Sequence, residues 1–257
     1  FDPYFTLDGI SRGYNVFFRR LDYDARNIAR YSTDSAGGGV TFGFPIGETQ
    51  RINFGMNIEH TEIREGFAAA QEISEFIERN GPDALNFKAS LSWIRSTLNR
   101  GVFADRGSSQ SIGLTFAVPG SDLEFYRLTY QGEKYLPLSR LFTLKLRTEL
   151  GYGDSYGDTP ALPFYEHFFA GGFGSIRGFE NSTLGPRSTP PLDENGNPII
   201  FRSYDNDGRF GQPFGGNLLL EFSAELIFPL PFVEDNRQFR PALFFGAGNV
   251  FNTACPT

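Results

Sequence analysis

The sequence is poor in the residues that usually build disulfide frameworks, metal centres and thiol active sites. Its 257 residues include one cysteine, Cys255, and two histidines, His60 and His167. One cysteine supplies neither a disulfide framework nor a thiolate metal site, although a partner beyond the present terminus stays open. The histidines lack zinc-motif spacing. We therefore expect no metal site and no cofactor.

Basic residues are in deficit, and long apolar runs are missing. The 23 Lys and Arg against 30 Asp and Glu give a net charge of −7, which argues against a nucleic-acid partner, because phosphate binding needs a clustered basic surface. No run of about 18 apolar residues predicts a transmembrane helix. What the chain has instead is aromatic content, with 29 phenylalanines.

Period-two alternation of apolar and polar side chains is the main structural signal, and it predicts an all-β fold. In residues 142–152, phenylalanine, leucine and tyrosine alternate with lysine, arginine and glutamate. The same rhythm recurs in enough segments for about nine antiparallel strands. The other segments lie near 10–20, 38–46, 52–58, 87–93, 109–119, 124–136, 216–229 and 239–251.

Two features favour a transmembrane β-barrel over a soluble β-sandwich, in which half-buried strands also alternate. The predicted strands of about 9 to 14 residues are longer than usual soluble strands and suit tilted strands that cross an outer membrane. Aromatic residues also cluster near strand ends, as in the girdles of membrane barrels. These residues are Tyr14, Phe17, Phe18, Phe125, Tyr126, Tyr130, Tyr135, Phe228 and Phe232.

Long and short connections roughly alternate, which is typical of barrels with long extracellular loops and tight periplasmic turns. Residues 21–37, 64–84 and 153–215 are long, whereas 47–49 and 137–139 are short. The long 153–215 connection is expected to fold back into the lumen. In the 64–84 connection, a short amphipathic helix that stops at "NGP" is predicted. Its apolar face is formed by Ile73, Phe76 and Ile77.

An odd number of strands indicates part of a larger barrel. Bacterial single-chain barrels use even numbers, and an open sheet would leave unpaired edges in lipid. We therefore interpret residues 1–257 as a partial outer-membrane β-barrel domain.

Motifs that would indicate an enzyme fail on their context. "GISRG" at Gly9–Gly13 has the spacing of a nucleophile elbow, but it runs into a strand rather than a helix. "DNDG" at 205–208 lacks the glutamate of a calcium loop, and the glycines at 172 and 174 lack the third glycine of a dinucleotide fingerprint. The sequence therefore predicts a protein without a catalytic site.

Two carboxylates give the most specific expectation. Along 217–229, Glu221 and Glu225 fall on the face opposite a row of leucine and phenylalanine. Because a charged side chain in the lipid is penalised, the register places both in the lumen. The glycine-rich loop "FAGGFGSIRGF" supplies Arg177 as their counter-charge. The alternative is that Arg177 faces water outside.

Several ordered motifs resemble the BamA family of outer-membrane β-barrel assembly insertases, also called the bacterial surface antigen family. "PFYEHFFAGGFGSIRGFENSTLGP" is similar to the sixth extracellular loop of that family, with "SIRGF" at the place of its Val-Arg-Gly-Phe signature. "PYFTLDGIS", "TFGFPI", "AVPGSD", "ELGYGD" and "GGNLLLEFSAELIFPLPF" follow the family's order along the whole chain. The resemblance implies about the fifth to thirteenth strands of sixteen, without the POTRA domains, the first strands and the last three strands.

The resemblance also implies roles for residues of the loop and of two strands. The signature arginine, Arg177, would reach into the lumen and pair with Glu225 and with an acidic residue on the next strand. That second position is Gly246 here, so either the anchoring is weaker or Glu221 offsets the loss. The loop signature comprises Gly171, Gly172, Ile176, Arg177, Gly178 and Phe179, and its glycines would allow close backbone approach.

The function implied is insertion and folding of β-barrel proteins in the bacterial outer membrane, by strand templating and local bilayer destabilisation without chemistry. Implied partners are accessory lipoproteins, nascent outer-membrane proteins, periplasmic chaperones and the bilayer. A related translocation-assembly or two-partner secretion barrel is the alternative, and a soluble β-sandwich binding protein is less favoured. The client range, the number of POTRA domains and whether this piece folds alone stay open.

Overall fold

The computed structural model describes residues 1–23, 30–66, 69–192, 199, 211–229 and 240–253. Within these residues, one sheet of nine strands dominates the fold. The strands are β1 (Ser11–Asp22), β2 (Tyr31–Gly47), β3 (Gln50–Glu65), β4 (Asp83–Ser96), β5 (Gly107–Ala117), β6 (Phe125–Pro137), β7 (Thr143–Ser155), β8 (Leu218–Ile227) and β9 (Ala242–Phe251). Helix α1 (Gln71–Asn80) lies between β3 and β4, and a 3₁₀ turn spans Phe164–Glu166.

Each strand pairs antiparallel with the strand before it, and the order in the sheet is the order in the chain. The predicted all-β class and the nine predicted strands are thereby confirmed. β2 begins earlier than expected, because residues 31–37 pair with 59–65 of β3 instead of forming a loop. The alternation signal failed there because polar side chains of that stretch are buried, and Asp34 accepts two hydrogen bonds from Arg20.

The two faces of the sheet differ in chemistry. One face, the outer face, carries exposed apolar side chains; Val16, for example, is 91% exposed. Rows of such residues run across the ladder from strand to strand, which suits hydrocarbon rather than water. Members of the outer face include Tyr14, Val16, Phe18, Phe54, Met56, Ile58, Phe87, Leu91, Ile112, Leu114, Leu128, Leu150, Leu220 and Phe222.

The inner face is polar and is partly covered by the connection between β7 and β8. Some aromatic residues expected in a lipid girdle lie on this face, so that part of the prediction is wrong. Phe125 is fully buried in a cluster with Leu123 and Leu162, and Tyr135 lies opposite Lys145. Successive side chains of a strand point to opposite faces, and these residues occupy inward positions. Aromatic content alone does not reveal which face a residue occupies. Phe232 lies outside the described residues.

Helix α1 confirms the helix predicted in the 64–84 connection. Its Ile73 is fully buried, and Gly81 ends it at a φ of 81°. The helix packs on a cluster that includes Tyr31 and Phe164, with the rings of Phe76 and Phe164 edge to face at 5.2 Å. No helix among the described residues is long and apolar enough to cross a membrane.

Candidate functional site

The candidate site lies where residues 164–192, called the inner segment below, contact the inner face of the sheet. Isolated bridges pair Phe168 with Gly216 and Ala170 with Leu184. Phe168 and Ala170 also pack with Leu219 of β8 and Val250 of β9. The glycine-rich part of the inner segment is therefore held close to the β8–β9 end of the sheet.

Arg177 reaches the strand carboxylate that the alternation pointed inward. Its Nη2 donates to Oε1 of Glu225 at 2.5 Å, and the two side chains are 28% and 14% exposed. Among the residues that the structure describes, Glu225 is the one carboxylate bonded to Arg177. The contact expected from the sequence is present in the structure. Its role as a latch stays a prediction.

Two aromatic rings complete the surroundings of Arg177. The guanidinium carbon lies 4.6 Å from the centre of the Phe244 ring and 5.1 Å from that of Phe173. Phe244 lies directly opposite Glu225 in the β8–β9 ladder, so one strand position supplies the carboxylate and its neighbour supplies a ring. Cation–π contacts of this kind are worth about 0.5 to 2 kcal/mol. No sequence pattern points to Phe244, because residues 243–245 are apolar on both faces of the strand.

Glu221 contacts the inner segment through a different residue than expected. It accepts a short hydrogen bond from the hydroxyl of Ser175, whose oxygen also accepts from the Gly171 amide at 2.9 Å. Arg147 of β7 donates to the Gly174 carbonyl at 2.7 Å. Glu221 therefore bonds to the inner segment at Ser175, and it is not a second partner for Arg177.

Gly246 leaves space beside this site. It pairs with Ser223 on the inward side of the ladder, and a Cβ there would meet only Ile176 Cγ2, at 3.9 Å. A cavity of about 50 Å³ is lined by Arg177, Glu225 and Gly246 among others. A larger side chain would therefore fit at residue 246, and packing does not require glycine there.

The glycines of the loop signature serve two needs. Gly171 has a φ of 108°, and a Cβ there would lie 2.5 Å from the Glu180 carbonyl, so only glycine fits. Gly172 combines a φ of 100° with a close approach to Asn181. At Gly178 the expected close approach is absent, because a Cβ would meet nothing within 4 Å; its φ of 96° is what favours glycine. Ile176 is buried, whereas Phe179 is exposed.

A second group of charges, which the sequence did not point to, holds the start of the inner segment. Glu166 lies between Lys88 and Arg127, at 2.8 and 2.9 Å. The partners are far apart in sequence and Glu166 lies outside any alternating stretch, so no periodicity relates them. The acidic residue among the aromatics of "PFYEHFF" was the only available signal.

The residues rejected as catalytic or metal-binding remain scattered. Ser11 of "GISRG" lies in β1, with its hydroxyl 3.5 Å from the Gly43 carbonyl. His60 lies beside Asp83, and His167 bonds the Phe214 carbonyl. Among the described residues, no three His, Cys, Asp or Glu side chains group as metal ligands. "DNDG" and Cys255 lie outside the described residues.

The chain matches the Omp85 superfamily domain over residues 1–257. It is 35% identical to the outer membrane protein assembly factor BamA of Neisseria meningitidis, over 98% of this chain and 31% of that protein. A SAM50-like protein of Schizosaccharomyces pombe is 28% identical over 76% of this chain and 34% of its own length. The chain thus spans about a third of the curated relatives it matches.

Among solved structures, the chain is similar to the crystal structure of Haemophilus ducreyi BamA lacking POTRA domains 1–3. The TM-score is 0.85 at 30% identity, and the match covers 98% of this chain and 48% of that one. Together with the apolar outer face, this similarity assigns the chain to an outer-membrane barrel and excludes a soluble β-sandwich. The inner face is accordingly the luminal face.

Proposed function

The chain belongs to the Omp85 superfamily, and on that premise we propose that it is part of a barrel that inserts and folds β-barrel proteins in the bacterial outer membrane. The observation that carries the proposal is the 35% identity to an outer membrane protein assembly factor over 98% of the chain. The work would involve no chemical step. Strand edges would template incoming strands by hydrogen bonding, and the barrel would thin the bilayer around it.

This part of the barrel would contribute the anchored luminal loop. The 153–215 connection would enter from the extracellular side, and Arg177 would pin it to β8 through Glu225. Glu221 would hold Ser175 two inward positions away from Glu225 on the same strand. An anchored loop would hold strands β7–β9 in one conformation. The conformational changes of insertion would then take place elsewhere in the barrel.

The proposed partners are nascent outer-membrane proteins, the periplasmic chaperones that deliver them, accessory lipoproteins of an assembly complex, and the surrounding lipid. A net charge of −7 does not favour binding to the phosphates of a nucleic acid.

Reconstitution of the full-length protein tests the proposal. Proteoliposomes would receive a urea-unfolded outer-membrane barrel protein, and its folding would be followed by the heat-dependent shift of folded barrels on gels. Faster folding than with empty liposomes or with liposomes containing a porin is expected. Equal rates would contradict the proposal. A client that crosses into the liposome interior, protected from protease, would instead support the translocation or two-partner secretion class.

A further inference from the structure

A compact group of charges joins the start of the inner segment to the luminal wall. Lys88 Nζ lies 2.8 Å from Glu166 Oε1 and 2.9 Å from Glu59 Oε2. Arg127 Nη1 lies 2.9 Å from Glu166 Oε2. The two oxygens of Glu166 thus bond two different cations. The Lys88, Glu59 and Glu166 side chains are only 10 to 14% exposed, so the group is shielded from solvent.

The partners of Glu166 come from separate strands. Lys88 belongs to β4, Glu59 to β3 and Arg127 to β6, and Arg19 of β1 approaches Glu59 at 3.5 Å. Arg127 also lies over the Phe168 ring, 4.5 Å from its centre. One short stretch of the inner segment is therefore bound to β4 and β6, which lie four and two strands away from β8.

Two ion-pair contacts bind the inner segment to the wall, one at Glu166 and one at Arg177, and they have opposite polarity. They are called the Glu166 and Arg177 ties below. At Arg177 the inner segment supplies the cation and the wall supplies the carboxylate of Glu225. At Glu166 the inner segment supplies the carboxylate and the wall supplies Lys88 and Arg127. An inner segment that entered in the reverse direction would face like charges at both ties. Like charges in a shielded site repel strongly, which selects against the wrong arrangement.

We propose that Glu166 is a second positioning residue for the luminal loop, and that the opposite polarity of the Glu166 and Arg177 ties fixes the direction and register in which the loop lies across the lumen. Replacing buried ion pairs by apolar groups is often neutral for stability. The ion pairs of Glu166 are therefore expected to contribute mainly to the position of the loop rather than to stability. The inference concerns the position of the loop and holds whichever client the barrel handles.

Hydrogen exchange on the full-length protein in detergent measures that placement directly. Two backbone hydrogen bonds report on the inner segment: the Phe168 amide to the Gly216 carbonyl and the Leu184 amide to the Ala170 carbonyl. Glu166→Gln should raise exchange at both amides by at least about tenfold, since it removes the carboxylate that both Lys88 and Arg127 bind in a shielded site. Amides at the far end of the β4–β5 ladder, where Arg95 pairs with Gln110, should keep their rates.

Glu133→Gln is the matched control, because Glu133 pairs with Lys145 between strands and this pair does not include the inner segment. Exchange at Phe168 and Leu184 that is no faster in Glu166→Gln than in Glu133→Gln would overturn the proposal. A uniform rise at all barrel amides would overturn it as well, because the group would then stabilise the fold without placing the loop.

A charge exchange tests the polarity. Glu166→Arg combined with Arg127→Glu keeps the net charge of the group and restores one of its two ion pairs with residue 166, while Lys88 still faces a like charge. It should therefore restore part of the protection that Glu166→Arg alone removes. No restoration would contradict the polarity argument. If Glu166→Arg does not fold, Arg127→Gln tests the anchoring at Glu166 in milder form. It leaves the Lys88–Glu166 pair, so a smaller rise in exchange at Phe168 is expected, and no rise would count against the proposal.

Discussion

Glu225 and Phe244 lie directly opposite each other in the β8–β9 ladder, and Arg177 contacts both. The carboxylate accepts a hydrogen bond from the guanidinium, and the ring lies 4.6 Å from its carbon atom. One cross-strand pair thus holds the loop arginine by two interactions of different kinds. This arrangement leads to separable predictions for the carboxylate, the ring and the empty position beside them.

The ring should contribute measurably to loop anchoring. Phe244→Leu keeps an apolar side chain but removes the π face, and we expect a loss of about 0.5 to 2 kcal/mol in the free energy of anchoring. The loss would be measured as faster exchange of the Leu184 amide in the full-length protein. Phe245→Leu is the control, since Phe245 lies on the outer face opposite Ala224. Equal effects of the two substitutions would contradict the cation–π contact.

An acidic residue at Gly246 should strengthen the anchoring. Gly246→Asp places a carboxylate in the cavity that Arg177 and Glu225 line, where it gains about 1 kcal/mol from the guanidinium, less its repulsion by Glu225. The expected result is slower exchange at Leu184 and a higher unfolding temperature in detergent. Gly246→Ala separates the added Cβ from the added charge. If Gly246→Asp destabilises more than Gly246→Ala, one carboxylate already satisfies Arg177.

His167 should make the luminal loop sensitive to mild acid. Burial lowers the pKa of His167 below its usual 6.5, although the hydrogen bond with the Phe214 carbonyl opposes the shift. The neutral ring is therefore the favoured form in the folded protein. As the pH falls below about 6.5, the unfolded chain binds the proton first, so stability present above that pH is lost.

The measurement is the unfolding temperature of the full-length protein between pH 7.5 and 5. His167→Gln keeps a donor for the Phe214 carbonyl and removes the titration, so its unfolding temperature should fall less over that range. A decrease of the same size in the wild type and the variant would exclude His167 as the cause.

Much of the wall could be predicted from sequence, because a strand with one lipid face must alternate. That constraint placed Glu225 inward, and the resemblance to the BamA family paired it with Arg177. The helix α1 was predictable for a similar reason, since Ile73, Phe76 and Ile77 form one face.

Contacts between the wall and the inner segment were harder to predict. Glu166 meets Lys88 and Arg127 only because the chain folds back across the sheet, and no local pattern records that return. Phe244 could not be predicted from alternation, because it is an apolar residue on the luminal face. Alternation identified Glu225 by assigning polar residues to that face. The start of β2 is hard to predict because Tyr31 and Thr33 are both buried, which leaves no apolar–polar alternation in that stretch.

The most direct test of the account is a charge exchange at the Arg177–Glu225 pair in the full-length protein. Arg177→Glu and Glu225→Arg should each impair client folding in proteoliposomes and speed exchange at Leu184, because each places two like charges at a shielded contact. The double variant should recover a large part of both. If neither single variant changes client folding or loop exchange, the pair does not anchor the loop and the central claim is wrong.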